Sequence, residues 1–371
     1  MKNSPAREEK QCAAAAPPKQ SAKRARSVLG DVLPDDLGIT LPHEHLLIDL
    51  TIWFEESDDA AVKPLADQPL NIGNLGRVMY NQYNNRDNMR LEDEALAVEE
   101  ALLFKEQGGR TIVDVTTVGL GRDPIALKRM AEATGLNIIA GSGYYVLQGG
   151  DAKAFDARSE EEIADQMVSE ILTGFGNSGI RAGIIGEIGC SSPLQDRERK
   201  ALRSAASAQR RTGAAITIHP GRRECSPMEI LGILADAGAD LSRVVMGHID
   251  RTGYSPATVR DLAQTGCYLE YDLFGSNAFY PLRFGVYKRP CDRERIEQVQ
   301  ELIEEGCLHQ ILISQDICLK TKLVRYGGMG YAHILCNILP QMRARGVTDA
   351  HIHTMMVENP RRLLCFLPEN L

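Results

Sequence analysis

Short apolar segments alternate with long amphipathic segments along most of this chain. Seven of the apolar segments hold four to six apolar or β-branched residues and end in polar residues or glycine, which is typical of strands buried on both faces. They are RTIVDVTT (110–117), LNIIAGSG (136–143), AGIIGEIG (182–189), AAITIHPG (214–221), RVVMGHID (243–250), GCYLEYDLF (266–274) and QILISQDI (310–317). Together with the opening segment ITLPHEHLLIDL (39–50), they predict eight strands.

The segments between these strands have the pattern of helices. The stretch 91–109 has apolar residues at helical spacing, acidic residues in its first turn and two glycines that can end a helix. In the stretch 123–135, Asp123 is the expected N-cap and Pro124 occupies the first helical position. Alternating strands and helices predict a parallel sheet, and eight repeats in about 340 residues fit a closed (β/α)8 TIM barrel. A doubly wound open sheet is the alternative, but PHEHLL is not the glycine-rich nucleotide-binding turn that such a fold normally carries after its first strand.

Composition narrows the class of protein. The 371 residues are 43% hydrophobic and 25% charged, with a net charge of −8 that argues against a nucleic-acid surface. Nine scattered cysteines without a C-x-x-C motif indicate reduced thiols in a cytoplasmic protein. No apolar run approaches the ~18 residues of a membrane span. We therefore expect a small-molecule substrate, neither a nucleic-acid nor a membrane partner, and a homodimer as the default assembly.

The N-terminal segment differs from the rest. Residues 1–27 are rich in Ala, Pro, Lys and Arg and have almost no large apolar side chains, so they cannot bury enough surface to become ordered. This composition predicts a disordered basic tail over 1–27, followed by a single barrel domain over 28–371.

Candidate metal ligands stand at the ends of five predicted strands. In a parallel barrel all C-terminal strand ends meet at one face, where active sites form. Side chains at i and i+2 of a strand point the same way, so His43 and His45 should point into the barrel and Glu44 away from it. The full set is His43, His45, Glu187, His219, His248 and Asp316.

Four histidines and two carboxylates suit a pair of metal ions better than one. We assign His43, His45 and Asp316 to the first ion, His219 and His248 to the second, and Glu187 as the bridge, with Zn²⁺ the expected metal. A bridging hydroxide would be the nucleophile, and Asp316 would carry its proton to the leaving group. The alternative is that all six are separate core residues. Four other histidines are expected to be non-ligands because they lie in helical contexts: His309, His333, His351 and His353.

Several longer motifs strengthen the assignment. From Val28 to the C-terminus the chain contains, in order, LPHEHL, GEIGCSS, IHPGR, GHIDRT, GCYLEYDLFG, YGGMGYAHIL and ENP. In these motifs the chain resembles the phosphotriesterase-related proteins of the amidohydrolase superfamily, and this resemblance implies a binuclear zinc hydrolase. The bacterial phosphotriesterases bridge their metals with a carboxylated lysine, whereas this chain has Glu187 there and no lysine between Arg181 and Lys200. That departure puts phosphotriester hydrolysis in doubt.

The charge of the site bears on the substrate. Two Zn²⁺, one hydroxide, Glu187 and Asp316 sum to a charge of roughly +1. Arg222 and Arg251 each follow a histidine ligand by three residues and are expected on loops at the barrel mouth, where arginine can hold an anionic group at two points. Tyr145 and Tyr271 are weaker candidates for the pocket wall.

These features favour a small acyl substrate with an anionic end. The resemblance extends this expectation to amide hydrolysis of N-acetyltaurine or N-acetyl amino acids. A lactonase or carboxylesterase, a phosphotriesterase and a non-catalytic binding protein remain alternatives.

Overall fold

A computed structural model describes residues 23–60, 62–147, 149–276 and 289–366, the side chains of 149–151 excepted. Residues 1–22, most of the predicted tail, lie outside this range. The predicted boundary between residues 27 and 28 is wrong, because the segment Ala25–Ser27 is already a strand with Ala25 and Arg26 buried. Arg26 donates to Asp31 over 2.8 Å and to the Ile171 carbonyl oxygen over 2.5 Å, which fixes this segment to the domain.

The described strands are β1 (Ala25–Ser27), β2 (Gly30–Val32), β3 (Ile39–Glu44), β4 (Ile48–Asp49), β5 (Arg90–Leu91), β6 (Gly109–Asp114), β7 (Asn137–Ser142), β8 (Ile184–Gly189), β9 (Ile216–His219), β10 (Val244–Met246), β11 (Tyr268–Tyr271) and β12 (Ile311–Ile313). Eight of them form the central parallel sheet, in the order β12-β11-β10-β9-β8-β7-β6-β3. The other four form two short two-stranded sheets, β1-β2 and β4-β5.

The two edge strands of this sheet approach each other at the C-terminal end. The backbone N–H of Asp316 donates to the His43 carbonyl over 3.3 Å, and the His43 N–H donates to the Ser314 hydroxyl over 3.2 Å. These bonds bring the end of β3 beside the end of β12 and nearly close the barrel. The predicted (β/α)8 TIM barrel is therefore confirmed.

The helices begin and end close to the predicted positions. Asp123 caps its helix by accepting from the N–H groups of Ile125 and Ala126, and Gly135 ends it with a φ of 65°. The described α-helices are α1 (Leu75–Tyr80), α2 (Glu94–Glu106), α3 (Pro124–Thr134), α4 (Gly149–Asp156), α5 (Glu160–Leu172), α6 (Asp196–Thr212), α7 (Ser226–Asp236), α8 (Ile249–Thr252), α9 (Pro256–Gln264), α10 (Asp292–Glu304), α11 (Leu339–Ala344), α12 (Asp349–His353) and α13 (Asn359–Leu364). Within the part of the chain just described, no helix has both the length and the apolarity to cross a bilayer.

The barrel strands divide their side chains between two apolar cores. On β11, Leu269 and Tyr271 belong to the large core shared with the helices, whereas Tyr268 belongs to the small core that also contains Val113, Val245 and Leu312 from other strands. This alternation is the period of two that a strand imposes. It directs Glu270 and Asp272 to the same side as Tyr268, and this placement matters for the site.

Candidate metal centre

All six predicted ligands meet at the C-terminal end of the barrel. His43, Glu187 and His219 lie on β3, β8 and β9, and the other three lie just beyond strand ends. Among the described residues, potential ligand atoms lie within 4.8 Å of one another in three groups of three. Two groups consist only of predicted ligands, His43 with His45 and Asp316, and Glu187 with His219 and His248. The third combines His43 and His248 with Asp272.

Glu187 stands between the two groups. Its Oε1 lies 3.6 Å from the Nε2 atom of His45. Its Oε2 lies 3.6 Å from Nε2 of His43, 3.5 Å from Nε2 of His248 and 3.1 Å from Nδ1 of His219. One carboxylate thus lies beside histidines of both groups of predicted ligands, which is the position that a bridging ligand requires.

Three of the four histidine rings are held in place by a contact on the side of the ring that faces away from the cluster. In each of them Nε2 faces the centre while Nδ1 contacts an oxygen of a buried side chain, which fixes the ring and favours the tautomer that leaves Nε2 free to bind a metal. Two of the side chains that contact these Nδ1 atoms, Glu270 and Asp272, were not predicted from the sequence. Their i, i+2 spacing beside a predicted strand end was a signal that both point to the same side of the strand. The pairs are His43 with Glu270 Oε2 at 2.9 Å, His45 with Thr116 Oγ1 at 2.9 Å and His248 with Asp272 Oδ1 at 2.8 Å.

The electrostatics of the cluster fit divalent cations. Burial, followed by the charges of Asp316 and Asp272, raises the pKa of Glu187 well above its usual value. Burial and then the charge of Arg251 lower the pKa of His219 and of His248 well below the usual value, so both rings are neutral and can act as ligands. The buried Nε2 of His43 has no hydrogen-bond partner among the described residues. Metal ions would neutralise the carboxylates and satisfy this nitrogen.

Two of the predicted ligands have a left-handed backbone conformation. His248 has a φ of 57° and Asp316 a φ of 48°, conformations that cost free energy in residues other than glycine. Each is held by neighbours: Asp272 Oδ2 accepts from the His248 N–H over 2.8 Å, and the Lys322 ammonium donates to the Asp316 carbonyl. Strain of this kind is maintained where side-chain direction matters, as at a functional site.

Asp316 is a carboxylate at neutral pH. Burial opposes its ionisation, but the nearby Lys322 ammonium and the contact with His45 outweigh burial and hold the pKa of Asp316 well below its usual range. Its Oδ1 lies 3.3 Å from His45 Nε2. The group is therefore ionised and available to bind a cation.

A cavity of about 460 Å³ opens above the cluster. Its wall contains the predicted residues Tyr145, Arg222 and Arg251, together with cationic side chains that were not predicted from the sequence. Apolar side chains complete the wall on other sides. The additional cations are Arg223, Arg289 and Lys322, and the apolar residues include Ile48, Leu50, Trp53, Leu273 and Leu319.

Two of the predicted pocket residues differ from expectation. Tyr271 does not reach this cavity: it is buried in the core against the helices, because strand alternation points it away from Glu270 and Asp272. Arg251 lies in the short helix α8 rather than on a loop and is only 3% exposed. Its Nη1 lies 2.5 Å from Nε2 of His219, and its Nη2 donates to the Pro220 carbonyl.

Tyr145 lies where it was predicted. Its hydroxyl is 3.2 Å from Nε2 of His219, and the side chain is buried. The remaining histidines belong to no potential ligand group within the described ranges: His333 contacts Asp292 at 2.9 Å and His353 contacts Glu358 at 3.2 Å. Pro360 lies in the first turn of α13, where proline is compatible with a helix.

This donor set at the mouth of a (β/α)8 barrel defines a metal-dependent hydrolase. The sequence pattern of the phosphotriesterase family matches residues 23–364, and the chain belongs to that family. It is 42% identical over 344 residues to the N-acetyltaurine hydrolase of Homo sapiens, covering 92% of this chain and 98% of that protein. The N-acetyltaurine hydrolase of Dictyostelium discoideum is 40% identical over 365 residues, with coverage of 93% and 98%. Among solved structures, a resiniferatoxin-binding protein from Rhodobacter sphaeroides superposes with a TM-score of 0.88 at 36% identity, covering 93% of this chain and 96% of that one.

Proposed function

We propose that this protein is a binuclear zinc hydrolase that cleaves the amide bond of N-acetyltaurine or of similar N-acetyl amino acids. The observation that carries the proposal is the position of Glu187 between two groups of ligands, beneath a cavity lined by several cations. Relatives that match nearly the whole chain are named for N-acetyltaurine hydrolysis, which supports the choice of substrate.

In this proposal one zinc ion would be held by His43, His45 and Asp316 and the other by His219 and His248, and Glu187 would be shared by both. When bound, the metals would lower the pKa of water and polarise the substrate carbonyl. Nitrogen ligands and a shared carboxylate favour zinc over magnesium or calcium. The remaining chemistry is done by the chain's own residues.

Asp316 moves the proton. It accepts a proton from the attacking water and delivers it to the amide nitrogen as the C–N bond breaks, so that acetate and the free amine leave. Its depressed pKa keeps it unprotonated before attack. Tyr145, with its hydroxyl beside His219, faces the same space and is proposed as part of the substrate wall.

The cations of the cavity are proposed to select the substrate. A sulfonate or carboxylate entering the cavity would meet Arg222 near β9 and Lys322 near β12, both of which line it. Arg251 is largely engaged by Pro220 and His219, although its buried Nε has no hydrogen-bond partner within the described residues. We therefore propose Arg222 as the main anion contact and Arg251 as a support that also holds His219.

The cytoplasm is the proposed compartment, because all eight cysteines in the described ranges are free thiols. A homodimer remains a prediction from the frequency of such assemblies.

A hydrolysis screen of the zinc-loaded protein tests the proposed function. We expect release of acetate from N-acetyltaurine, or from an N-acetyl amino acid, with a kcat/KM at least about tenfold above that for lactones and paraoxon. Faster turnover of a lactone would favour the lactonase alternative, and faster turnover of paraoxon the phosphotriesterase alternative. Absence of turnover on every substrate, with zinc bound, would favour a binding protein.

Replacing Arg222 with alanine should impair anionic substrates selectively. A lost charge-assisted hydrogen bond in a partly desolvated site is worth roughly 1.5–3 kcal/mol, which is about a 10- to 150-fold fall in kcat/KM for N-acetyltaurine. A neutral N-acetyl alkylamine of similar size should change by less than about twofold. Arg222→Lys should recover only part of the loss, because an ammonium cannot reproduce the planar two-point contact.

The comparison of anionic with neutral substrates also distinguishes the proposed role of Arg222 from that of Arg251. Arg251→Ala should impair both substrates, because Arg251 contacts a metal ligand. Zinc content of Arg222→Ala should equal that of the native protein. Equal losses on anionic and neutral substrates in Arg222→Ala would contradict its proposed role.

A further inference from the structure

Glu44, the central residue of the His43-Glu44-His45 motif, is completely buried and points away from the metal cluster. Its carboxylate accepts three hydrogen bonds from the turn that follows β12. Oε1 accepts from the Ser314 hydroxyl over 2.7 Å and from the Gln315 N–H over 2.8 Å, and Oε2 accepts from the Ile317 N–H over 2.9 Å. Both oxygens are therefore used to hold one short turn.

The donors of these bonds lie on both sides of Asp316. Asp316 holds a φ of 48°, and its own N–H reaches the His43 carbonyl at 3.3 Å. The Ser314 hydroxyl that donates to Glu44 also accepts from the His43 N–H over 3.2 Å. One carboxylate thus joins the strand that carries two histidine ligands to the turn that carries the carboxylate ligand.

We infer that Glu44 is a positioning residue that acts through Asp316, a role that rests on the proposed function of Asp316 as ligand and proton carrier. Without an acceptor at Glu44, two buried N–H groups in the Asp316 turn would lose their partner. The turn would then relax from its left-handed conformation and shift the Asp316 carboxylate. A displacement of about 1 Å at a reacting group costs on the order of 100-fold in rate.

The variant Glu44→Gln tests this inference. Glutamine keeps the shape but turns one acceptor oxygen into an NH2 donor, which cannot pair with the N–H groups of the turn. Glu100→Gln is a matched control. Glu100 is also buried and uses both oxygens, Oε2 for the Val324 N–H at 3.0 Å and Oε1 for the Arg325 N–H at 2.8 Å, in a turn that carries no predicted ligand.

Two measurements on the zinc-loaded proteins should separate the variants. We expect Glu44→Gln to lower kcat for N-acetyltaurine about 10- to 100-fold with KM within about threefold, and to weaken one of two zinc-binding steps about tenfold in competition with a chromophoric chelator. Glu100→Gln should lower the melting temperature but leave kcat and both zinc affinities within about twofold. Equal effects of the two variants on kcat and zinc binding would overturn the inference.

A double-mutant cycle shows whether the effect passes through Asp316. If it does, adding Glu44→Gln to Asp316→Asn should lower kcat by no more than about twofold, because residues that act as a unit are not additive. Full multiplication of the two losses would overturn the inference.

Two further outcomes are covered by additional measurements: a Glu44→Gln variant that does not fold, and a native protein that hydrolyses no N-acetyl compound. If Glu44→Gln does not fold, Ser314→Ala replaces it as the test, because it removes one of the three donors to Glu44. Ser314→Ala should lower kcat about 3- to 10-fold, whereas Glu100→Gln should leave kcat within about twofold. An unchanged kcat in Ser314→Ala would count against the inference. If the native protein hydrolyses no N-acetyl compound, the proposed function fails, and the zinc competition still decides whether Glu44 positions the Asp316 turn.

Discussion

Replacing Glu187 with glutamine is expected to release one of two bound metals and to lower kcat/KM by at least about 100-fold. The carboxylate of Glu187 is the shared contact of both ligand groups, with an oxygen 3.6 Å from His45 on one side and an oxygen 3.1 Å from His219 on the other. A neutral amide of the same size would carry no charge to offset the repulsion between two divalent cations held by these two ligand groups. Elemental analysis should find close to two zinc ions per native chain and one or none in the variant.

Glu198 provides a matched control for that experiment. It is buried nearby and accepts three hydrogen bonds, two from Ser191 and one from the Gln195 N–H, all through Oε2. Glutamine can keep all three with its amide oxygen, so Glu198→Gln should bind two zinc ions and retain its rate. Two zinc ions and a native rate in Glu187→Gln would show that the bridging ligand lies elsewhere.

The sequence allowed the barrel and the positions of the cluster residues to be predicted because both follow from local patterns. Strands buried on both faces leave continuous apolar runs, and the helices between them carry recognisable caps such as Asp123 and Gly135. Once the strands are parallel, polar residues that follow their ends must converge. His45 and Asp316 are 271 residues apart in the sequence, and the fold brings Nε2 of His45 to within 3.3 Å of Oδ1 of Asp316.

The prediction for β11 was wrong although its sequence carries a signal for its orientation. In GCYLEYDLF the residues at 267, 269, 271 and 273 are apolar or aromatic, and Glu270 and Asp272 alternate with them. The aromatic residues at both 268 and 271 obscure this alternation, so the prediction placed Tyr271 on the pocket wall and left Glu270 and Asp272 out of the site. Burial decides the orientation: two carboxyl groups can be buried beside the histidines that they contact, whereas the other side of β11 packs into the large apolar core.

Contacts between distant segments account for the other differences. An arginine-rich segment such as 23–27 has the composition of a solvated tail, yet Arg26 is buried because Asp31 and the Ile171 carbonyl satisfy its guanidinium. Arg251 is similar: its partners, Pro220 and His219, come from another strand end. Burial of a charged side chain depends on such partners, which composition and periodicity do not specify.

Replacing Asp316 with asparagine is expected to lower kcat for N-acetyltaurine by about 10²- to 10⁴-fold, the range that proton transfer by a positioned side chain contributes. Asparagine keeps the size and one ligand oxygen but cannot accept a proton. With excess zinc, His43 and His45 should still retain the metal, so elemental analysis should separate a lost proton carrier from a lost metal.

The leaving group makes this prediction sharper. An amine leaves an amide only when its nitrogen is protonated, so loss of the proton donor should act fully on N-acetyltaurine. The 4-nitrophenolate ion leaves without a proton, and hydrolysis of 4-nitrophenyl acetate should therefore fall at least about tenfold less in Asp316→Asn. Equal losses on the amide and the ester would mean that Asp316 serves only as a ligand or as the base for water. The proton of the departing amine would then have to come from another group in the cavity. Lys322 and Tyr145 are candidates, because both line the cavity without belonging to the ligand set.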